Sequence, residues 1–177
     1  MTTLLLVIGA LIVAAIAVVL ILAARKPSHF SIQRTMRMNA PPERIFPLIN
    51  DVHNFIKWSP FEKDPNMKRI FSGPSAGVGM IYDFDGNRQV GAGRVEITES
   101  IPNSKIVMKL DMDRPFTARN IVTFTLAPIA GGTEVTWQMA GPQPFMAKVM
   151  STIIDCDKMV GGEFDKGLAG MHAMATA

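Results

Sequence analysis

The chain has 177 residues, of which 48% are hydrophobic and 19% are charged. This composition excludes a disordered protein, and the single cysteine, Cys156, excludes an intramolecular disulfide framework and a cysteine-cluster metal site. The net charge is +3, from 18 basic residues, including Arg25 and Lys26, and 15 acidic residues. Such a weak charge predicts no nucleic-acid partner.

The N-terminal segment is uniformly apolar. Residues 4–24 form a run of 21 residues without a charged or polar side chain, and the first charged residue is Arg25. A helix of that length spans about 30 Å, the thickness of a bilayer's hydrocarbon core. The alternative is a cleaved signal peptide, which has a basic start and an apolar core of about 7–15 residues. We therefore interpret residues 1–27 as a transmembrane anchor with its linker and residues 28–177 as a globular domain.

Basic residues follow the apolar run on its C-terminal side. Arg25 and Lys26 are adjacent to it, and Arg34 and Arg37 come shortly afterwards. The positive-inside rule places such a flank in the cytoplasm. The sequence therefore predicts a single-pass protein of the cell membrane whose C-terminal domain is cytoplasmic.

The globular part contains seven segments with the alternating pattern of β-strands. The first two are separated by a helix that opens at Asn39–Glu43 and by a helical turn at His53–Trp58. In the later segments, apolar residues such as Val122 and Phe124 alternate with polar ones such as Thr123, which predicts an antiparallel sheet with one apolar face. The predicted strands cover residues 30–38, 67–72, 78–84, 88–100, 104–112, 119–126 and 133–139.

The last segment has helical periodicity. From Pro144 onwards, apolar residues recur at steps of three and four, which predicts a helix of roughly 28 residues that covers the apolar face of the sheet. The pair Gly161-Gly162 weakens this helix locally. It indicates a close approach to the sheet, a kink, or room for a ligand.

This order of elements, together with several motifs, resembles the START-like (SRPBCC) superfamily, in particular its polyketide cyclase/dehydrase and lipid-transport group. The motifs lie within residues 30–172 and are Ala40–Phe46, Trp58–Phe61, Ser72–Gly79, Gly131–Trp137 and Phe164–Leu168. The resemblance implies an α+β helix-grip fold, in which a seven-stranded curved antiparallel sheet surrounds a long C-terminal helix and leaves an apolar cavity. Some members bind lipids, sterols or other hydrophobic molecules, and others catalyse aromatic ring closure or dehydration. The N-terminal transmembrane helix is an addition to the family pattern.

The predicted cavity is lined by the inward-facing apolar side chains. Methionine is frequent, with 13 residues, and its flexible thioether suits a wall that adapts to varied apolar ligands. Core packing without ligand contact is the alternative for each residue. The candidate ligand-binding residues are Trp58, Phe61, Met80, Tyr82, Phe84, Met108, Leu110, Phe124, Trp137, Met139, Phe145, Met146, Met150 and Ile154.

Candidates for chemistry are few. Tyr82, the only tyrosine, has an inward register, and we expect its hydroxyl to bond to the backbone rather than to a ligand. Asp83 and Asp85 have the opposite register and are expected to face water. His53 is expected to pack at a helix end, with a place near the cavity mouth as the alternative. The spacing of the histidines predicts no metal site, and we expect no catalytic residue and no cofactor.

Three functions remain open at this point. The favoured one is a membrane-anchored domain that binds a hydrophobic small molecule or lipid without catalysis. The alternatives are a polyketide cyclase/dehydratase-like enzyme and an interaction module with a filled cavity. The sequence does not identify a protein partner or the ligand.

Overall fold

Seven strands and five helices follow one another in the computed structural model, which describes residues 2–177. The helices are α1 (Thr2–Arg25), α2 (Pro42–Asn50), α3 (Phe55–Trp58), α4 (Phe145–Ile153) and α5 (Cys156–Thr176), and a 3-10 turn spans Val52–Asn54. The strands are β1 (His29–Met38), β2 (Lys68–Ser72), β3 (Ile81–Asp85), β4 (Ala92–Ile101), β5 (Lys105–Arg114), β6 (Ala118–Ile129) and β7 (Gly132–Pro142).

The strands form one antiparallel sheet in the order β1-β7-β6-β5-β4-β3-β2. Alternation along each strand gives the sheet its two faces, as in β6, where Val122 and Phe124 are buried and Ile121 is exposed. The register between β4 and β5 shifts between Ile97 and Glu99, which is the signature of a β-bulge. The predicted seven-stranded curved sheet is confirmed.

Two strands begin later than the sequence pattern predicts. The backbone at Gly77 and Gly79 has positive φ angles of 80° and 86°, so the residues around Val78 form a turn and β3 begins at Ile81. The predicted strands 78–84 and 88–100 leave only residues 85–87 between them, whereas β4 begins at Ala92 and a longer loop joins it to β3.

Helix α5 packs against the concave face of the sheet through Phe164, Leu168 and Met171, all of which are buried. A close approach explains Gly161, because a Cβ atom there would lie 2.0 Å from the guanidinium of Arg34 on β1. The first of the three interpretations of the glycine pair therefore holds for Gly161.

The C-terminal helical region is not continuous. A helix beginning near Pro144 ends at Ile153, Ile154 is extended, and the Asp155 side chain accepts a hydrogen bond of 2.9 Å from the backbone N–H of Lys158. This N-cap starts α5 anew. The predicted extent of the helix is therefore wrong, whereas the long C-terminal helix itself is present as α5.

Helix α1 is long and apolar enough to cross a membrane, and none of its most apolar 18-residue stretch is buried. Its C-terminal end contacts α4, and Ala23 is fully buried there. The Lys26 ammonium donates hydrogen bonds to the backbone carbonyl (2.6 Å) and hydroxyl (3.0 Å) of Ser151. The end of α1 is thereby tied to the domain through α4.

Candidate functional site

An apolar cavity of about 340 Å³ lies between the concave face of the sheet and α5. Its wall comes from α3 and the loop after it, from strands β3–β7 and from α5. The alternation of the strands supplies the apolar part of this wall, since every second side chain points inward. Nine of the predicted residues line it: Trp58, Phe61, Tyr82, Phe84, Met108, Leu110, Phe124, Trp137 and Met139.

Five of the predicted residues lie outside the wall of this cavity. Met80 directly precedes β3 and is fully buried in the core, but it is not part of the cavity wall. Phe145, Met146, Met150 and Ile154 are exposed. Their prediction assumed one helix along the sheet, whereas α4 separates from α5 and packs against α1.

The cavity is bordered by an aromatic cluster. Trp137 stacks on Phe164 with ring centroids 4.3 Å apart, and Trp58 meets Trp137 edge-on at 5.6 Å. Phe61 packs edge-on against Trp137 and Phe164 at 6.1 Å and 6.4 Å. Edge-to-face and offset contacts of this kind fix ring positions, so this side of the cavity is preorganised.

A hydrogen-bonded group interrupts the apolar wall at one place. The Tyr82 hydroxyl donates to Glu62 Oε1 at 2.5 Å, and the Arg69 guanidinium contacts Glu62 Oε2 at 2.8 Å. Only 6% of the Glu62 side chain is exposed, and Arg69 also donates to the carbonyls of Met67 and Asp64. The expectation that Tyr82 bonds to the backbone is therefore wrong, because its partner is a carboxylate from the loop after α3.

This group is electrically compensated. Burial, and then the hydrogen bond to Glu62, raise the pKa of Tyr82 well above its ordinary value. The hydrogen bond to Glu62 likewise raises the pKa of Arg69. Tyr82 therefore stays protonated and Arg69 stays charged, with Glu62 as their common acceptor. The arrangement holds the loop against β3.

A second polar side chain faces the cavity on β6. Asn120 shares the inward register of Val122 and Phe124, and only 9% of it is exposed. Its amide makes no hydrogen bond with any group of residues 2–177. On the neighbouring strand β7, a Cβ atom at Gly141 would lie 2.3 Å from Asn120 Oδ1. The glycine leaves the space that the amide occupies.

Glu62 and Asn120 were not among the predicted site residues. A signal for Asn120 existed, because it stands two positions before Val122 in the same alternating strand. No comparable signal marks Glu62, which lies in an irregular loop and reaches Tyr82 only through the fold.

The remaining polar candidates lie away from the cavity. Asp83 pairs with Arg94 at 2.7 Å on the outer face of the sheet, and Asp85 pairs with Arg114. The His53 imidazole contacts the Asp51 carboxylate at 2.6 Å beside α2 and does not line the cavity. Among residues 2–177, no group of three or more His, Cys, Asp or Glu side chains is placed to hold a metal ion.

A second hollow, of about 600 Å³, lies at the junction of α1 with the domain. It is lined by residues of β1 and α4, of the segments that follow α1 and α4, and of the start of α5, among them Lys26, Phe30, Ser151 and Cys156. The sequence did not predict this hollow.

Solved structures with the same fold include a protein of Chromobacterium violaceum, CV1439, with a TM-score of 0.59 and 19% identity over 86% of this chain and 99% of that one. The di-domain ARO/CYC BexL from the BE-7585A biosynthetic pathway has a TM-score of 0.66 and 15% identity over 88% of this chain and 53% of its own. The Aha1 dimer from Colwellia psychrerythraea has a TM-score of 0.52 and 18% identity, covering 82% of this chain and 96% of that one. At these identities the likeness shows the fold alone.

No curated protein matches the chain. The model of one protein family, described as polyketide cyclase / dehydrase and lipid transport, matches residues 29–175, which include every strand of the sheet and nearly all of α5. The chain therefore belongs to the polyketide cyclase/dehydrase and lipid transport family.

Proposed function

We propose that the protein is a membrane-anchored domain that binds a hydrophobic small molecule or lipid in the cavity between the sheet and α5, without catalysis. The observation that carries the proposal is the apolar cavity of about 340 Å³. Its volume falls within the range of small-molecule sites, about 300–1,000 Å³, and such sites are mostly apolar with a few placed polar groups.

The composition of the wall supports binding of ligands of varied shape. Met67, Met108, Met112 and Met139 all line the cavity, next to the rigid aromatic cluster. Thioether side chains adjust their rotamers at low cost, so one side of the cavity is fixed and another adapts.

The absence of catalysis is proposed from the state of the polar groups. General acid–base catalysis needs a group that exchanges a proton near the working pH. The hydroxyl of Tyr82 donates to Glu62, and the pKa of Tyr82 is raised, so Tyr82 is not poised for this exchange. Glu62 is held by both Tyr82 and Arg69 and is not free to approach a ligand.

Membrane anchoring is proposed from α1 and its surroundings. Residues 1–27 would form the span and its linker, and the basic flank Arg25-Lys26 would place the domain, residues 28–177, on the cytoplasmic side. Helix α4 contacts α1 and leaves Phe145, Met146 and Ile153 exposed. An apolar surface continuous with a span is suited to the bilayer interface, and we place α4 there.

Energy transfer from tryptophan tests ligand binding directly. The chain has two tryptophans, Trp58 and Trp137, and both line the cavity. Addition of 9-anthracenemethanol to the full chain in lipid nanodiscs should quench tryptophan emission, sensitise anthracene emission and saturate. Empty nanodiscs with dissolved tryptophan give the background. A linear, unsaturable response no larger than this background would contradict the proposal and favour an interaction module.

A polyketide cyclase/dehydratase-like activity is the second candidate. It is favoured by the Tyr82–Glu62–Arg69 group at the cavity wall and by the description of the family. If it is correct, Tyr82→Phe abolishes ring closure of a linear polyketide and leaves anthracene binding intact. Ring closure at the same rate in the absence of protein would leave binding alone as the function.

A further inference from the structure

The charges of the cavity wall favour binding of a neutral ligand over binding of an anionic one. Among the residues that line it in the described chain there is one acidic side chain, Glu62, and no lysine, arginine or histidine. Arg69, the cation that contacts the lining residue Glu62, is held by it at 2.8 Å and by two backbone carbonyls. A ligand carboxylate would therefore lose its hydration, meet the Glu62 anion and find no free cation.

Two buried polar groups of the lining residues have no hydrogen-bond partner in the described chain, the indole N–H of Trp137 and the amide of Asn120. The indole N–H can only donate, so the Asn120 amide complements a wider range of ligand oxygens. The Asn120 amide faces the cavity, is nine-tenths buried and makes no hydrogen bond within residues 2–177. Its amide both donates and accepts, so it complements a hydroxyl, a carbonyl or an amide of a ligand. A buried polar group without a partner is costly, and a ligand oxygen placed beside it would remove that cost.

From these two observations we infer that the natural ligand is an uncharged apolar molecule with a hydroxyl or carbonyl group, and that Asn120 binds this group. Free fatty acids and other carboxylates are excluded at neutral pH. This inference rests on the proposed binding function and adds to it the ligand's charge, its polar group and the residue that recognises that group.

Three probes with the same ring system separate these properties. Anthracene has no polar group, 9-anthracenemethanol adds a hydroxyl, and 9-anthracenecarboxylate adds a charge. Their affinities for the full chain in nanodiscs are measured by energy transfer from Trp58 and Trp137, with partition into empty nanodiscs subtracted. The alcohol should bind at least about tenfold more tightly than the carboxylate.

The Asn120→Leu variant tests the proposed hydrogen bond between Asn120 and the ligand. It should lower the affinity for 9-anthracenemethanol by about tenfold and leave the affinity for anthracene unchanged, since only the alcohol uses the amide. Retained anthracene binding also shows that the variant is folded. If the Asn120→Leu variant is not folded, Asn120→Ser takes its place. Thr125→Val, on the exposed face of the same strand, is the matched control.

The Glu62→Gln variant tests the charge argument. Without the carboxylate, Arg69 loses its ionic partner, and the affinity for 9-anthracenecarboxylate should rise by at least about tenfold relative to the alcohol. The inference is overturned if the wild-type chain binds the carboxylate as tightly as the alcohol. It is equally overturned if Asn120→Leu leaves the ratio of alcohol to anthracene affinity unchanged. If the wild-type chain binds none of the three probes, the proposed function fails and this inference falls with it.

Discussion

Two glycines of α5 stand in opposite surroundings, and their substitution should change stability in opposite directions. A Cβ atom at Gly167 would lie 2.6 Å from the ring of Trp137 and 2.8 Å from Pro60, whereas nothing lies within 4 Å of one at Gly162. Alanine is favoured over glycine in a helix by about 1 kcal/mol. At Gly162 this gain should appear in full.

At Gly167 the clash should outweigh the propensity. Overpacking a filled core costs about 1–3 kcal/mol, so Gly167→Ala should lower the free energy of unfolding while Gly162→Ala raises it. Urea denaturation followed by tryptophan emission measures both, because Trp58 and Trp137 lie in the domain core. Equal stabilisation by the two substitutions would show that α5 does not press against Trp137.

Because Tyr82 is the only tyrosine, the absorbance of ionised tyrosine in this protein reports on one residue. The folded state raises the pKa of Tyr82 above the ordinary value of 10.0, chiefly through burial. The unfolded chain ionises first, so the stabilising effect is complete below pH 10 and is lost as the pH rises above it. We expect tyrosinate absorbance to appear well above pH 10 in the folded protein.

The Tyr82→Phe variant is the control for this titration. Its stability should be lower at neutral pH by about 1 kcal/mol, because a hydrogen bond to Glu62 is lost, and it should depend less on pH above 10. Ionisation of wild-type Tyr82 near its ordinary pKa would mean that the hydroxyl is not buried against Glu62.

The site residues that could be predicted from the sequence are those that lie on strands with a regular alternation of apolar and polar positions. Trp137 and Phe124 could be assigned to the cavity because strand alternation places every second side chain inward, and the same rule reaches Asn120. Glu62 could not be assigned, because its position depends on a loop without a period. The contact of Glu62 with Tyr82 and Arg69, which sets the charge of the cavity wall, could therefore not be predicted from the sequence.

Among the elements, the strands could be predicted well and the helical region after β7 could not. A step of three or four apolar positions continues from Ile153 through Cys156 to Val160, although Ile154 and Asp155 interrupt the helix. Because the interruption is short, the apolar spacing passes across it unchanged. The local signal was Asp155 itself, an N-cap residue ahead of α5.

Removal of this cap should destabilise the junction between α4 and α5. Asp155→Ala abolishes the hydrogen bond to the Lys158 N–H and should lower the free energy of unfolding by about 1 kcal/mol. Asp113→Ala, at an exposed strand end, should change it little and serves as the control. Urea denaturation compares them, and an unchanged midpoint for Asp155→Ala would indicate that packing alone sets the break.

For the molecule as a whole, the break between the helices changes the role of the apolar residues on α4. Phe145, Met146 and Met150 were expected inside the cavity and instead are exposed beside the end of α1. Their composition suits either place, so the sequence alone could not decide between them. The tertiary contact with α1 makes them part of the surface that we assign to the bilayer interface.

The orientation of the whole chain in a membrane can be read from its single cysteine. Cys156 is partly exposed at the start of α5, on the domain side of α1. If Arg25 and Lys26 hold the domain in the cytoplasm, a membrane-impermeant maleimide should label the full chain in inside-out membrane vesicles and not in right-side-out ones. Cys156→Ser should remove the signal, and Asp113→Cys in that background should restore it at a second exposed site. Labelling confined to right-side-out vesicles would reverse the orientation, and release of the unlabelled chain by a salt wash would show that α1 does not span the bilayer.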